Sequence, residues 1–411
     1  MAEFTGPVTV LDPGNFSPQY TANLCSSLAQ LSVDVTLITS PPQFGAMLSP
    51  RGYRVEYCFF QHLYAPGLLR SAAARSPRIR TLLKACAYPF GLASTKRLLG
   101  LQELPGVLHY QWAHWPILDH ALVARLRRTG WRVVATAHEF APPPFSSLWQ
   151  PQARRFYRSV DGVVVHSARL AEKAGAELDI PRSRLHVIAR GDLGVFQGAP
   201  LTREEARAQI GITGSGPVLL FFGMIKPNKG LAHLLLAMPA ILGEFPDARL
   251  VIAGEPMEKF DRYRAIIQRL GTSRSVIARL GYVKDDEVSA YFQASDLVVL
   301  PHTESVLSGV VWIAMGLGRP IVGTNVGGLS DLVKDEVNGL LVPPGSPAPL
   351  AHAIVRLLRD PGQLERMGNR SRERSLAGHQ WSQTAKETLG LYRRLMNHCP
   401  SGQAKSVTSG T

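Results

Sequence analysis

The sequence predicts an α/β protein of two doubly wound domains facing one another across a cleft. Three observations lead there. Short runs rich in Val, Ile and Leu alternate with stretches of helical spacing along the whole chain, the rhythm of repeated βαβ units. Several of these runs end in glycine-bearing turns, as at Gly223, Gly254 and Gly281, where an open α/β sheet binds its ligands. A chain of 411 residues is also too long for one ordinary core. The boundary is placed at residue 195, with a second domain from 196 to 378.

Composition narrows the class. Hydrophobic residues make up 45% and charged residues 18%, the balance of a globular protein. Cys25, Cys58, Cys86 and Cys399 are scattered with no C-x-x-C pair, which suits reduced thiols better than a disulfide set or a zinc site. No run of about eighteen apolar residues suggests a membrane span. No basic then apolar leader opens the chain, so a cytoplasmic location is expected. The net charge of +14 favours anionic partners. No nucleic-acid motif accompanies it, so nucleic acid is not expected among them.

The first half opens on a strand from Val8 to Asp12, then the turn Pro13-Gly-Asn-Phe-Ser-Pro18. A helix with Leu24, Leu28 and Leu31 follows, then a strand from Val33 to Ile38, a Rossmann-like opening. From Tyr57 to Gln102 there is no Asp or Glu, against Arg70, Arg75, Arg78, Arg80, Lys84, Lys96 and Arg97. Leu68, Leu69, Ile79, Leu82 and Leu83 are interleaved with them. A basic amphipathic stretch of this kind suits an anionic membrane surface; the plainer reading is a solvated helical pair. His109, His114, His120 and His138 lack metal-ligand spacing, so no metal is expected. His138 ends the strand Trp131 to Ala137. His109, Trp112 and Trp115 suit an acceptor pocket or simple packing. Short strands at Asp161 to Val165 and Arg184 to Ile188 close the domain, and the stretch from Gly191 to Pro200 suits a hinge.

In the second half, Thr202 with Glu205 caps a helix from Arg203 to Gln209. The strand Pro217 to Phe222 leads into Gly223-Met-Ile-Lys-Pro-Asn-Lys-Gly230 and a helix with Leu231, Leu234, Leu235, Met238, Ile241 and Leu242 on one face. Strands are expected at Arg249 to Gly254, Ile277 to Val283, Leu297 to Leu300 and Asn338 to Val342, with helices at Asp285 to Ala290 and Ala348 to Leu358. Ser308 and Gly309 open a helix after the third of these strands, where backbone N–H groups can approach an anion or a sugar. Gly327-Gly328 is a second loop of that kind. Trp381 to Met396 reads as a terminal helix, and the tail from 400 to 411 as disordered.

The segment E-S-V-L-S-G-V-V-W-I-A-M-G-L-G resembles the donor-binding region of retaining glycosyltransferases of family 4, which have the GT-B fold. Those enzymes carry E-x-F-G-L-V-x-x-E-A-M-A-x-G. The chain keeps Glu304 and Ala314-Met315, reads S-G-V in place of F-G-L, and lacks the second Glu, whose slot falls on Trp312 or Ile313. The same offset leaves the first-Glu position to Glu304 or Ser305. The turn at Gly223 to Gly230 is similar to the family's G-R-L-x-x-x-K-G, with Lys229 matched and Met224 in the Arg slot. V-V-A-T-A-H-E is similar to its T-x-H strand end. The resemblance implies a sugar moved from a nucleotide diphosphate sugar (UDP- or GDP-linked) to a hydroxyl of a glycan or lipid-linked acceptor, with retained configuration and neither metal nor cofactor.

By the same resemblance, Lys229 and the N–H groups of Ser308, Gly309 and Val310 hold the diphosphate, aided by Gly223, and Gly14 and Asn15 face it across the cleft. Glu304 binds sugar hydroxyls, His138 lies near the anomeric carbon, and Val283 marks the base. A helix over 379–399 crosses back to the first domain. Two alternatives stay open: a GT-B scaffold that has lost catalysis and serves as a binding subunit, and a phosphorylase or sugar-nucleotide epimerase.

Overall fold

The computed structural model describes residues 6–42, 50–64, 77–138, 146–191, 201–304, 309–378 and 380–397. The strands are β1 (Val8–Asp12), β2 (Val35–Thr39), β3 (Arg54–Tyr57), β4 (Val107–Tyr110), β5 (Arg132–Thr136), β6 (Gly162–Val165) and β7 (Leu185–Val187), then β8 (Val218–Phe222), β9 (Arg249–Gly254), β10 (Val276–Leu280), β11 (Leu297–Leu300), β12 (Ile321–Thr324) and β13 (Gly339–Val342). They form two sheets, ordered β3-β2-β1-β4-β5-β6-β7 and β10-β9-β8-β11-β12-β13. Every neighbouring pair is parallel; Val8, for instance, pairs with Val35 on one side and Val107 on the other.

Parallel strands with helices on both faces are buried throughout, which explains their near-continuous apolar runs. Every residue of β1, β4, β6, β11 and β12 is buried. The edge strands β3 and β10 instead carry exposed residues. In the first domain, Leu11, Phe59, Tyr88, Tyr110 and Phe156 fill one face of the sheet. Val8, Val10, Leu24 and Leu28 fill the other, together with Ala385, Leu389, Leu391 and Tyr392. Those last four lie on the helix Trp381–Asn397. The Arg132 side chain also donates to the Leu395 carbonyl at 3.0 Å, so this helix is part of the first domain's core.

Both sheets reverse their winding direction once: between β1 and β4, and between β8 and β11. The crevices beyond the carboxyl ends of those strand pairs are where such sheets place ligands.

The boundaries shift in places. β2 begins at Val35 rather than Val33, because Ser32 turns the chain at φ 61°. β10 runs from Val276 to Leu280, not to Val283, and Gly281 breaks it at φ 127°. β3 was not legible: R-V-E-Y is a short edge strand, half exposed. The basic region holds a short helix, Gln61–Tyr64, and a 24-residue one, Pro77–Gly100. The longer helix buries Tyr88, Leu92 and Leu99, and exposes Ile79, Leu82, Cys86 and Phe90, a single face by helical spacing. No described helix is long and apolar enough to cross a membrane. Arg70, Arg75, Leu68, Leu69, the hinge after Gly191, Ser305, Ser308 and the tail fall outside the described residues.

Candidate active site

The second domain's half of the site is built where β8 and β11 end. After β8 the chain enters a single 3₁₀ turn, Pro227–Lys229, and Gly230 closes it at φ 72°. A Cβ on Gly230 would lie 1.7 Å from the Pro301 carbonyl oxygen, so only glycine lets the two loops approach. They are then stitched together by the Thr303 N–H, which donates to the Asn228 carbonyl at 3.0 Å. Lys229 is half-buried beside His302. Burial, with the Lys229 charge adding to it, pushes the His302 imidazole down to about 3. The ring is neutral at working pH, and its Nδ1 is buried with no hydrogen-bond partner among the described residues.

Glu304 is exposed at the end of the same loop. Gly309 and Val310 begin the helix Gly309–Gly316, and the Val310 methyl would lie 3.2 Å from a Cβ on Gly223. Gly223 thus lies against Val310, and the turn bearing Lys229 is bonded to the loop that leads to Glu304. Trp312 and Ile313, the slot of the second Glu, are buried in the core at 3% and 7% exposure. Met224, in the Arg slot, is 51% exposed, with Lys226 half-buried two residues on. Val283 sits apart at the end of β10, lining a hollow of about 320 Å³ with Gly281, Tyr282, Glu287 and Tyr291.

The first domain's half lies at the ends of β1, β4, β5 and β6. Asp12 is fully buried; its Oδ1 accepts from the Asn15 N–H at 3.0 Å and its Oδ2 from the Thr21 hydroxyl at 3.0 Å. The Asn15 side chain donates to the Ser40 carbonyl, and Asn15 itself takes the left-handed φ of 49°. The special backbone position of this turn is thus Asn15, with Gly14 packed under the Phe16 ring. Burial pushes the Asp12 carboxyl up to about 6, against the pull of those hydrogen bonds.

His138 is 4% exposed and walled by aromatic rings. Trp112 stacks on it at 4.7 Å and Tyr20 meets it edge-on at 4.8 Å. Its Nε2 lies 3.1 Å from Gln111 and its Nδ1 3.4 Å from His166, whose own Nδ1 is 3.0 Å from the Ile188 carbonyl. Burial, with the charges of His166 and Arg190 adding to it, holds the His138 ring well below the ordinary histidine range. The Arg190 guanidinium lies over the Tyr20 ring at 5.1 Å.

His109 turns out to be core. It is 1% exposed and hydrogen-bonds Tyr392 at 2.6 Å and Thr136 at 2.7 Å, tying the terminal helix to the sheet. Trp115 is 41% exposed and stays at the surface. Among the described residues no three His, Cys, Asp or Glu side chains gather closely enough to hold a metal ion.

Sequence reading missed Tyr20, His166, Arg190 and His302. For His166 a signal existed: it directly follows β6 as His138 closely follows β5. Among the described residues, hydrogen bonds join the two halves. Gln19 donates to Asp285 at 3.1 Å, and Arg169 reaches the Gly327 carbonyl at 3.4 Å and the Ser330 hydroxyl at 3.3 Å.

Comparison with known proteins agrees with this architecture. The family described as "Glycosyl transferase 4-like domain" matches residues 17–191, and "Glycosyl transferases group 1" matches residues 216–360. A D-inositol 3-phosphate glycosyltransferase of Segniliparus rotundus is 34% identical over 75% of this chain and 70% of its own length; its counterpart from Frankia alni is 31% identical over 71% and 76%. An uncharacterized glycosyltransferase of Methanocaldococcus jannaschii is 32% identical over 57% of this chain, which spans 60% of that relative. Among solved structures, sucrose-phosphate synthase from Thermosynechococcus elongatus superposes with a TM-score of 0.74 at 22% identity, covering 96% of this chain and all of that one. HepE of Anabaena in complex with UDP gives 0.70 at 16%, covering 94% and all of that chain. The two doubly wound domains, with these matches in both, make the chain a member of the GT-B glycosyltransferases.

Proposed function

We propose that the chain is a retaining, metal-independent hexosyltransferase of the family 4 type. It moves a sugar from a UDP- or GDP-sugar to a hydroxyl of a glycan or lipid-linked acceptor. The observation that carries this reading is the meeting of the loops after β8 and β11: the turn ending at Lys229 is bonded to Thr303, and Gly223 lies against Val310 at the start of the following helix. A lysine and free N–H groups at a helix start suit a diphosphate and stabilise it as it leaves. The Anabaena neighbours crystallised with UDP and UDP-glucose support a nucleotide-sugar donor, and the D-inositol 3-phosphate glycosyltransferases among the relatives support a hydroxyl as the accepting group.

In this mechanism Lys229 and the N–H groups of Ser308, Gly309 and Val310 neutralise the diphosphate. Glu304 accepts from the sugar hydroxyls, Val283 contacts the base, and Gly14 and Asn15 close over the phosphates. His138 lies beside the anomeric carbon. The acceptor oxygen forms its bond to that carbon on the face from which the phosphate oxygen departs, and the departing oxygen takes the acceptor's proton.

The outward face of the helix Pro77–Gly100, with Ile79, Leu82 and Phe90 exposed near Lys96 and Arg97, supports docking on the anionic inner face of a membrane. Co-sedimentation with anionic vesicles, weakened by salt, is the expected result; none at physiological salt rejects it. A catalytically silent scaffold is the second reading, favoured by the buried apolar residues in the second-Glu slot and by Met224.

A thermal-shift titration with UDP, GDP and ADP separates the two. A nucleotide at a hundred times its dissociation constant stabilises by about 2.7 kcal/mol. Lys229→Ala should abolish the shift, and hydrolysis of the matching nucleotide sugar should fall with it. No shift with any nucleotide would leave the scaffold reading standing.

A further inference from the structure

The hydrogen bonds around His138 have a direction that follows from chemistry. The Ile188 carbonyl can only accept, so the His166 Nδ1 facing it at 3.0 Å carries a proton. His166 is half-buried, and loss of solvation pushes its imidazole down to about 4, so it is neutral and its Nε2 holds a lone pair. That lone pair faces His138 Nδ1 at 3.4 Å, which must then be the protonated nitrogen of His138. His138 Nε2 is left as an acceptor, 3.1 Å from the Gln111 side-chain amide.

The Gln111 amide completes the chain. With its oxygen turned to His138, two acceptors would face each other, and the Gln111 nitrogen is buried without a partner among the described residues. With the amide turned by half a rotation, the nitrogen donates to His138 and the clash of two acceptors disappears, while the oxygen takes the nitrogen's buried position. Amide oxygen and nitrogen are told apart only by such networks.

We propose that His166 and Gln111 are positioning residues that hold His138 in its Nδ1–H tautomer, the bonds running one way from Gln111 through both rings to Ile188. This rests on His138 lying beside the sugar. Its consequence is that His138 acts as a fixed wall: with both nitrogens engaged and Trp112 and Tyr20 against the ring, it neither rotates nor gives up a proton. His138 then orients the sugar, and proton transfer falls to the leaving phosphate.

Long-range proton–nitrogen NMR of the full chain, with labelled histidine and His138→Gln for assignment, tests this without any nucleotide sugar. A silent enzyme would therefore leave the result intact. At pH 7.5 the His138 proton is expected on Nδ1, and in His166→Phe it should move to Nε2. In Gln111→Glu, whose carboxylate only accepts, a proton should appear on Nε2. If His166→Phe fails to fold, the unsubstituted chain and Gln111→Glu still decide. A proton on Nε2 of the unsubstituted chain overturns the proposal. So does an Nδ1 proton unmoved by either substitution.

Discussion

Gly230 shows how much a single residue can carry. Its φ of 72°, and the 1.7 Å at which a Cβ would meet the Pro301 carbonyl oxygen, exclude any side chain. Gly230→Ala must either strain the backbone or part the two loops, at a cost of at least about 2 kcal/mol. A chemical melt should show the loss, and the nucleotide-induced thermal shift should shrink because Lys229 moves with the loop. At this scale the sequence was informative where residues cluster in a motif: the turn holding Gly223 and Lys229 and the loop leading to Glu304 do meet, through Thr303 and Asn228. It was silent where partners come from far along the chain. Tyr20, Gln111, His138, His166 and Trp381 meet only through the sheet and the terminal helix, and no local pattern marks such a meeting. Trp312 and Ile313 lie between these cases: spacing located them, but only burial showed that they are core.

Elements were legible in proportion to their regularity. β8, β9 and β11, as continuous apolar runs, were placed nearly to the residue. β3 escaped because an edge strand buries too little to leave a signature. Among the described residues, hydrogen bonds join the halves at Gln19 with Asp285, and at Arg169 with Gly327 and Ser330. Each contributes about 1 kcal/mol, too little to lock two domains together. The double substitution Gln19→Ala, Arg169→Ala should leave the melting point nearly unchanged while X-ray scattering reports a larger radius of gyration. An unchanged radius would mean that other contacts set the spacing.

For the whole molecule, the buried titratable groups predict an acid-sensitive fold. His109, His114, His138, His166 and His302 are all held below the ordinary histidine value by burial. Each binds its proton more readily when unfolded, so its contribution is complete above about pH 6.5 and is lost on acidification at about 1.4 kcal/mol per pH unit. Asp12 and Asp119, raised by burial to about 6 and about 7, run the other way: they favour the folded state when protonated and lose that advantage as pH rises. The five histidines outweigh the two carboxyls, and a total stability of about 5–15 kcal/mol is exhausted within a few pH units. Urea melts between pH 8 and pH 5 should show the midpoint fall once the pH drops below about 6.5; a midpoint unchanged over that range would contradict this balance.

The helix Trp381–Asn397 gives the chain an order of events in time. It supplies Ala385, Leu389, Leu391 and Tyr392 to a core whose other members begin at Val8. During synthesis the first domain is therefore made first but finished last, one face of its sheet covered only by the helix Pro18–Ala29 until residue 397 has cleared the ribosome. The second domain lies wholly between and can fold in the meantime. Residues 1–195 made alone would present the uncovered part of that face to water, and a chaperone binding this nascent chain would have to shelter it longest there.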